Sequence, residues 1–178
     1  DKDKLPSEAT VNEWINSVLM DKNIAPYVDQ VSDKPLLAKK PTAGKVVATS
    51  KIPEIGVTEY KLSNGVKVIL KPTDFKNDEI SFYGYSPGGT SLYSDADFQS
   101  ASNAAAIVSR SGVGEFNSIQ LPKYLNGKRV FVNPMITERS EGISASTTPK
   151  DLETALQLTY LYFTAPRKDP EIFKGIIS

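Results

Sequence analysis

In Thr58-Glu59-Tyr60-Lys61-Leu62-Ser63-Asn64-Gly65-Val66-Lys67-Val68-Ile69-Leu70, apolar and polar residues alternate on both sides of Ser63-Asn64-Gly65. Asn-Gly between alternating runs predicts a β-hairpin closed by a type I′ turn, in which both central residues take positive φ. Downstream, Glu79 to Ser86 reads as a third, aromatic-rich strand ended by Pro87-Gly88-Gly89. Ser94 with Asp97 three residues on then opens a helix through Phe98, Ala101, Ala105 and Val108, ending near Gly112. Its Ala-rich face implies close packing.

A short helix from Ile119 to Leu125 precedes Asn126-Gly127, and Arg129 to Met135 and Glu141 to Ser146 read as two more strands. Thr148 as N-cap and Pro149 at the first helical position start another helix, with Leu152, Leu156, Thr159 and Phe163 on one stripe. Strands, helices, strands and helices at hairpin-length spacing predict an α+β fold: a mainly antiparallel sheet with helices on one face. No internal repeat is visible.

Upstream of the hairpin, Thr10 and Glu13 form a capping-box pattern, and Val11, Trp14, Ile15, Val18 and Leu19 recur at helical spacing to about Asp21. From Ile24 to Pro53 the prolines at 26, 35, 41 and 53 interrupt any long element. Leu36-Leu37 and Val46-Val47 make this stretch too apolar for a free tether. It is expected to lie along a neighbouring domain, with Val46 to Ala48 as a short edge strand. The division is thus residues 1–50, helix and connector, and 51–178, the globular domain. The charged start at Asp1-Lys2-Asp3-Lys4 and the apolar residues still arriving at Ile176-Ile177 read as the boundaries of a piece, truncated at its C-terminus.

Composition narrows the chemistry. The 178 residues include no histidine and no cysteine, which removes the side chains best suited to shuttling protons near neutral pH or holding zinc through nitrogen or sulfur. The 21 basic residues balance 21 acidic ones, so no strong field for nucleic acid arises. Apolar runs such as Ala104 to Val108 fall far short of the ~20 residues of a membrane span. Lack of cysteine fits either side of a bacterial inner membrane.

Gly84-Tyr85-Ser86-Pro87-Gly88 matches Gly-x-Ser-x-Gly in letters. Pro87 follows the serine, however, and has no N–H for an oxyanion hole, and no histidine serves as base. Gly88-Gly89-Thr90-Ser91 could cradle an anion or touch substrate through backbone N–H groups, although a Gly-rich turn explains it more simply. Asp74, Asp78, Asp95 and Asp97 lack calcium-loop spacing and read as caps and solvated loop. Tyr27, Tyr83, Tyr85, Tyr93, Tyr160 and Tyr162 could form a binding stripe, but aromatics so placed are more often core. Lys67 and Lys71 read as solvated.

Taken together, Leu62 to Thr73, Ser86-Pro87-Gly88-Gly89-Thr90-Ser91-Leu92-Tyr93, Ser111-Gly112-Val113-Gly114-Glu115-Phe116, Pro149-Lys150-Asp151-Leu152-Glu153 and Tyr160 to Asp169 resemble a homology unit of the insulinase and pitrilysin-type zinc metallopeptidases. The resemblance covers about residues 45–178 and is to the second half of a bacterial, periplasmic member. In the active half of such proteins an inverted His-x-x-Glu-His motif lies on the helix after the third strand and binds the metal. Matching Gly112 to the glycine that ends that helix puts Asn103, Ala106 and Ile107 at the motif positions, and none of them can serve. The resemblance therefore implies a noncatalytic domain that carries no cofactor itself. It would close against a zinc-bearing catalytic half, in the same or a partner chain, to enclose peptide substrate. The alternative is a stand-alone structural subunit of the same fold.

Overall fold

The computed structural model describes residues 5–25 and 34–177. Pro26 and Tyr27 lie outside the described residues. The chain divides into two units, residues 1–30 and 31–178.

The first unit contains helix α1, Glu8–Met20. It begins two residues before the predicted capping box. Ser7 is the N-cap, its hydroxyl accepting from the Thr10 N–H at 3.2 Å, so Thr10 is a helical residue rather than the cap. The predicted stripe is fully displayed, with Trp14 58% and Leu19 74% exposed.

The second unit opens with strand β1, Val46–Ile52, followed by β2, Val57–Leu62, and β3, Lys67–Leu70. They form a three-stranded antiparallel sheet in the order β1-β2-β3. The hairpin is where the alternation puts it, with Tyr60 opposite Val68 and Lys61 opposite Lys67. Its turn is not type I′. The Leu62 and Val66 ends are joined by three residues, with Gly65 N–H donating to Leu62 C=O and Leu62 N–H to Val66 C=O. Among the described residues only glycines take positive φ. Gly65 does so at 89° while Asn64 instead accepts the Val66 N–H on its side-chain oxygen. This is the three-residue loop in which one glycine absorbs the reversal. The expected edge strand at 46–48 extends to Ile52, pairing along β2 with an irregularity between Val46 and Ala48.

A second antiparallel sheet contains β4, Ile80–Pro87, β5, Val130–Ile136, and β6, Ser140–Thr147, in the order β4-β6-β5. The α+β class and antiparallel pairing are as the element order predicts; the strands divide into two sheets because no ladder joins β3 to β4. Ile143, Ala145, Thr147 and Val132 are buried on one face. Helices α2, Phe98–Ser111, and α4, Leu152–Thr164, pack on β5, and α4 also reaches β6. Between them lies α3, Gln120–Leu125, with Ile119 at its N-cap; just ahead of it the side-chain amide oxygen of Asn117 accepts the Ile119 and Gln120 N–H groups. α5, Pro170–Ile177, packs on α2.

The core joins Val113, Phe116, Leu121, Val132, Ile143, Ala155, Leu158 and Leu161. Leu36, from the proline-rich stretch, is buried in the same cluster at 4% exposure, with Leu37 packed against it. That stretch was expected to lie along a neighbouring domain; this part of it is committed to its own. On α4 the buried stripe is Ala155, Leu158 and Leu161 rather than Leu152, Leu156, Thr159 and Phe163, of which Leu156 and Phe163 are exposed. The helix is apolar on both sides, and Ala155 allows the closer approach to the sheet.

α4 also starts at Leu152 rather than after Thr148. Residues 148–151 form a turn, with Asp151 N–H donating to Thr148 C=O at 3.1 Å. The Asp151 carboxylate accepts the Arg129 backbone N–H at 2.9 Å and the Thr148 hydroxyl at 3.1 Å. These bonds, the Arg129 N–H first, hold its pKa below the ordinary carboxylate range. A depressed folded-state pKa contributes stability above the unfolded value, and that contribution is lost as pH falls through the folded one. Asp151→Asn is therefore expected to lower the melting temperature at pH 7. The gap to the parent should begin to narrow below pH about 4 and shrink further as pH falls through the folded-state value, so that thermal melts show a smaller difference at pH 3 than at pH 7.

Candidate functional site

The helix singled out for the metal motif is α2. Its entry is a turn: Asp97 N–H donates to Ser94 C=O and the Ser94 hydroxyl to the Asp97 carboxylate at 2.8 Å. Its exit is Gly112, at φ 84°, where an added Cβ would lie 2.2 Å from the Phe116 carbonyl oxygen. Of the three motif positions, Asn103 and Ala106 are exposed and Ile107 is half-buried. The Asn103 amide donates to Gln99 C=O within its own helix at 2.8 Å. Ile107 lines an apolar groove between α2 and α5 with Ala104, Val108 and Phe173. Alanine and isoleucine offer no donor atom, so this trio does not fit a zinc ion.

Segments Ser111 to Phe116 and Ala165 to Arg167 meet in space. Val113, fully buried, bridges to Phe116 and Pro166, Gly114 N–H donates to Ala165 C=O at 2.8 Å, and the Arg167 guanidinium donates to Gly114 C=O at 2.9 Å. These contacts fasten the loop after α2 to the end of α4.

Gly88, Gly89 and Thr90 form a packed turn. The N–H groups of Gly88, Thr90 and Ser91 donate to the carbonyls of Arg139, Thr137 and Glu138, each at 2.9 Å. Gly89 takes φ 75°, and a Cβ there would sit 2.2 Å from Thr137 O. The N–H groups that could have cradled an anion hold the β5–β6 loop instead. Ser86, of the hydrolase-like letters, places its hydroxyl 3.4 Å from the Pro87 carbonyl. Asp78 pairs with Arg129 at 2.7 Å, and the guanidinium holds its carboxyl below the usual range.

The tyrosines expected to be core are, for the most part, not. Tyr83, Tyr85, Tyr93 and Tyr160 are 41–71% exposed, while Tyr162 is half-buried. Tyr83 and Tyr85 share the face of β4 opposite the core, with ring centroids 6.0 Å apart. The ladder register builds this face in rows. Ser81 aligns with Ser146 and Phe131, Tyr83 with Ser144 and Asn133, and Tyr85 with Gly142 and Met135. The central strand thus contributes only Ser and Gly, and larger side chains stand on both flanks. Gly142 is the pinch point: a Cβ there would fall 2.0 Å from the Gly84 carbonyl oxygen. Sequence alternation identifies two faces of a strand without saying which one is covered.

No protein-family model matches the chain. A zinc protease PQQL-like protein of Arabidopsis thaliana is 32% identical over 163 residues, 92% of this chain and 14% of the relative. The chain belongs to the PqqL-like zinc protease family. A probable zinc protease PqqL of Haemophilus influenzae is 26% identical over 102 residues, 57% of the chain and 11% of that relative. Among solved structures, the periplasmic protease PqqL of Escherichia coli superposes with a TM-score of 0.76 at 21% identity, over 98% of this chain and 19% of that one. A variant of the ferredoxin protease FusC, in complex with Arabidopsis ferredoxin, gives 0.74 at 18% identity over the same shares. These two share the α+β fold. The chain therefore spans under a fifth of the length of each PqqL-like protein or FusC chain compared.

Proposed function

We propose that this chain is a noncatalytic domain of a zinc-dependent, insulinase-type peptidase, closing against the metal-bearing part to enclose peptide substrate. The observation that carries the reading is the similarity to zinc proteases along nearly the whole chain, combined with Asn103, Ala106 and Ile107 at the positions matched to the metal motif. The zinc belongs to the catalytic part, where it would polarise the scissile carbonyl and its bound water. The present chain contributes walls. The N-terminal unit, residues 1–30, serves as the connector between the two parts, because Leu36 and β1 are built into the second unit. A periplasmic site of action accords with the description of the Escherichia coli relative, and no helix among the described residues is long and apolar enough to cross a membrane.

Incubating the purified chain with zinc and a set of fluorogenic peptides tests this. No chelator-sensitive turnover is expected from the chain alone, and adding it to the remainder of its parent protein is expected to raise that remainder's turnover. Hydrolysis by the chain itself, or no effect on the remainder, would refute the proposal.

A further inference from the structure

We infer that Asn126, in the turn between α3 and β5, is a self-modification site, where the Gly127 nitrogen closes on the side-chain amide and converts the asparagine to aspartate and isoaspartate. The chain contains two Asn-Gly pairs, Asn64-Gly65 and Asn126-Gly127. Glycine puts no side chain in the way of its own nitrogen, so the chemistry is open to both. The glycine nitrogen attacks the asparagine Cγ, its proton leaves with the side-chain nitrogen as ammonia, and a five-membered cyclic imide forms. Water then opens the ring at either carbonyl. One opening leaves an ordinary aspartate, and the other routes the main chain through the former side chain. Nothing is oxidised or reduced, and water is the only co-reactant.

Hydrogen bonding tells the two pairs apart, since both are exposed and nothing lies within 4 Å of where a Cβ would stand on either glycine. At the first, both reacting groups are engaged. Gly65 N–H donates to Leu62 C=O at 3.0 Å, and the Asn64 side-chain oxygen accepts the Val66 N–H at 3.2 Å. Ser63 beside them is tied to Lys45 by bonds of 2.7 and 3.1 Å. Ring closure turns the peptide between the pair, and here that motion breaks the Gly65 bond. At the second pair, Asn126 has φ −57° and ψ 134°, Gly127 has φ 76°, and Lys128 N–H donates to Leu125 C=O at 3.0 Å. This is a type II turn. Among the described residues neither the Gly127 N–H nor the Asn126 side-chain amide makes a hydrogen bond. Type I and type II turns share the closing bond and differ by a flip of the central peptide, so the Gly127 nitrogen can swing toward Cγ while Leu125 and Lys128 stay joined. Either product sets a carboxylate next to Lys128, whose ammonium lies 6.0 Å from the Tyr124 ring centre. Isoaspartate also lengthens the main chain between α3 and β5.

The test ages the full 178-residue chain in warm, mildly alkaline buffer, folded and in urea, and follows tryptic peptides 124–128 and 62–67 by mass spectrometry after brief digestion. In the folded chain the mass gain of amide to acid is expected in 124–128 about tenfold faster than in 62–67, because each hydrogen bond that must open is worth roughly a factor of two to ten. In urea both turns dissolve and the two rates should converge. Two products of equal mass at position 126, separable by chromatography, are expected from the imide, and Asn126→Gln should remove both. By hydrogen exchange the Gly127 amide should be at least about tenfold less protected than that of Gly65. Equal rates at the two pairs in the folded chain, faster reaction at Asn64, a single aspartate product at 126, or a protected Gly127 amide would overturn the inference. None of these readouts involves peptide turnover, so the enclosing role stands or falls separately.

Discussion

Gly142→Ala is expected to cost about 3 kcal/mol or more, enough to remove much of a small domain's stability. The new methyl would have to occupy a point 2.0 Å from the Gly84 carbonyl oxygen and 3.0 Å from the Tyr85 Cα. Both obstacles are backbone on a paired neighbouring strand, so relief requires β4 and β6 to separate and the ladder between them to break. Gly84→Ala is the comparison on the same pair of strands. Its Cβ would meet the Ile143 Cγ2 at 3.3 Å, a side-chain atom that can yield, and a far smaller loss is expected. Urea unfolding followed by circular dichroism reads both. Equal midpoints for the two variants would mean that the close approach of the strands is not a constraint.

The second large effect separates the two apolar sides of α4. Leu158 is 2% exposed within the core cluster, whereas Leu156 is 51% exposed. Leu158→Ala should destabilise by about 2–5 kcal/mol through lost burial and the cavity left behind. Leu156→Ala in the isolated chain should fall within about 0.5 kcal/mol of the parent, as surface substitutions do. The reverse order would show that the stripe at 152, 156, 159 and 163 is the one facing the sheet.

What could be read from sequence was local. The Asn64-Gly65 reversal, the strand alternation around it, the Asn126-Gly127 break and the helix end at Gly112 all rest on conformational preferences within a few residues, and the structure places elements there. Turn type was harder to read, because Asn-Gly serves both two-residue and three-residue loops. The buried side of α4 depended on where β5 and β6 approach, information that a helix with two apolar stripes does not carry. The exposure of the tyrosine pair is hidden for a similar reason: Tyr83 and Tyr85 alternate as core residues would, but the cover belongs to Phe82 and its neighbours on the other face. The resemblance to a peptidase family was legible because it rested on several separated segments, two of which prove to be fastened together around Val113 and Gly114.

Leu36 has a practical bearing on how this protein is divided for expression. Trimming to the start of the hairpin sheet would discard a leucine side chain buried in the core cluster, exposing a greasy hollow to water. Shortened versions that begin beyond it should be sticky and prone to precipitate, whereas those retaining the whole second unit, residues 31–178, keep the plug in its socket.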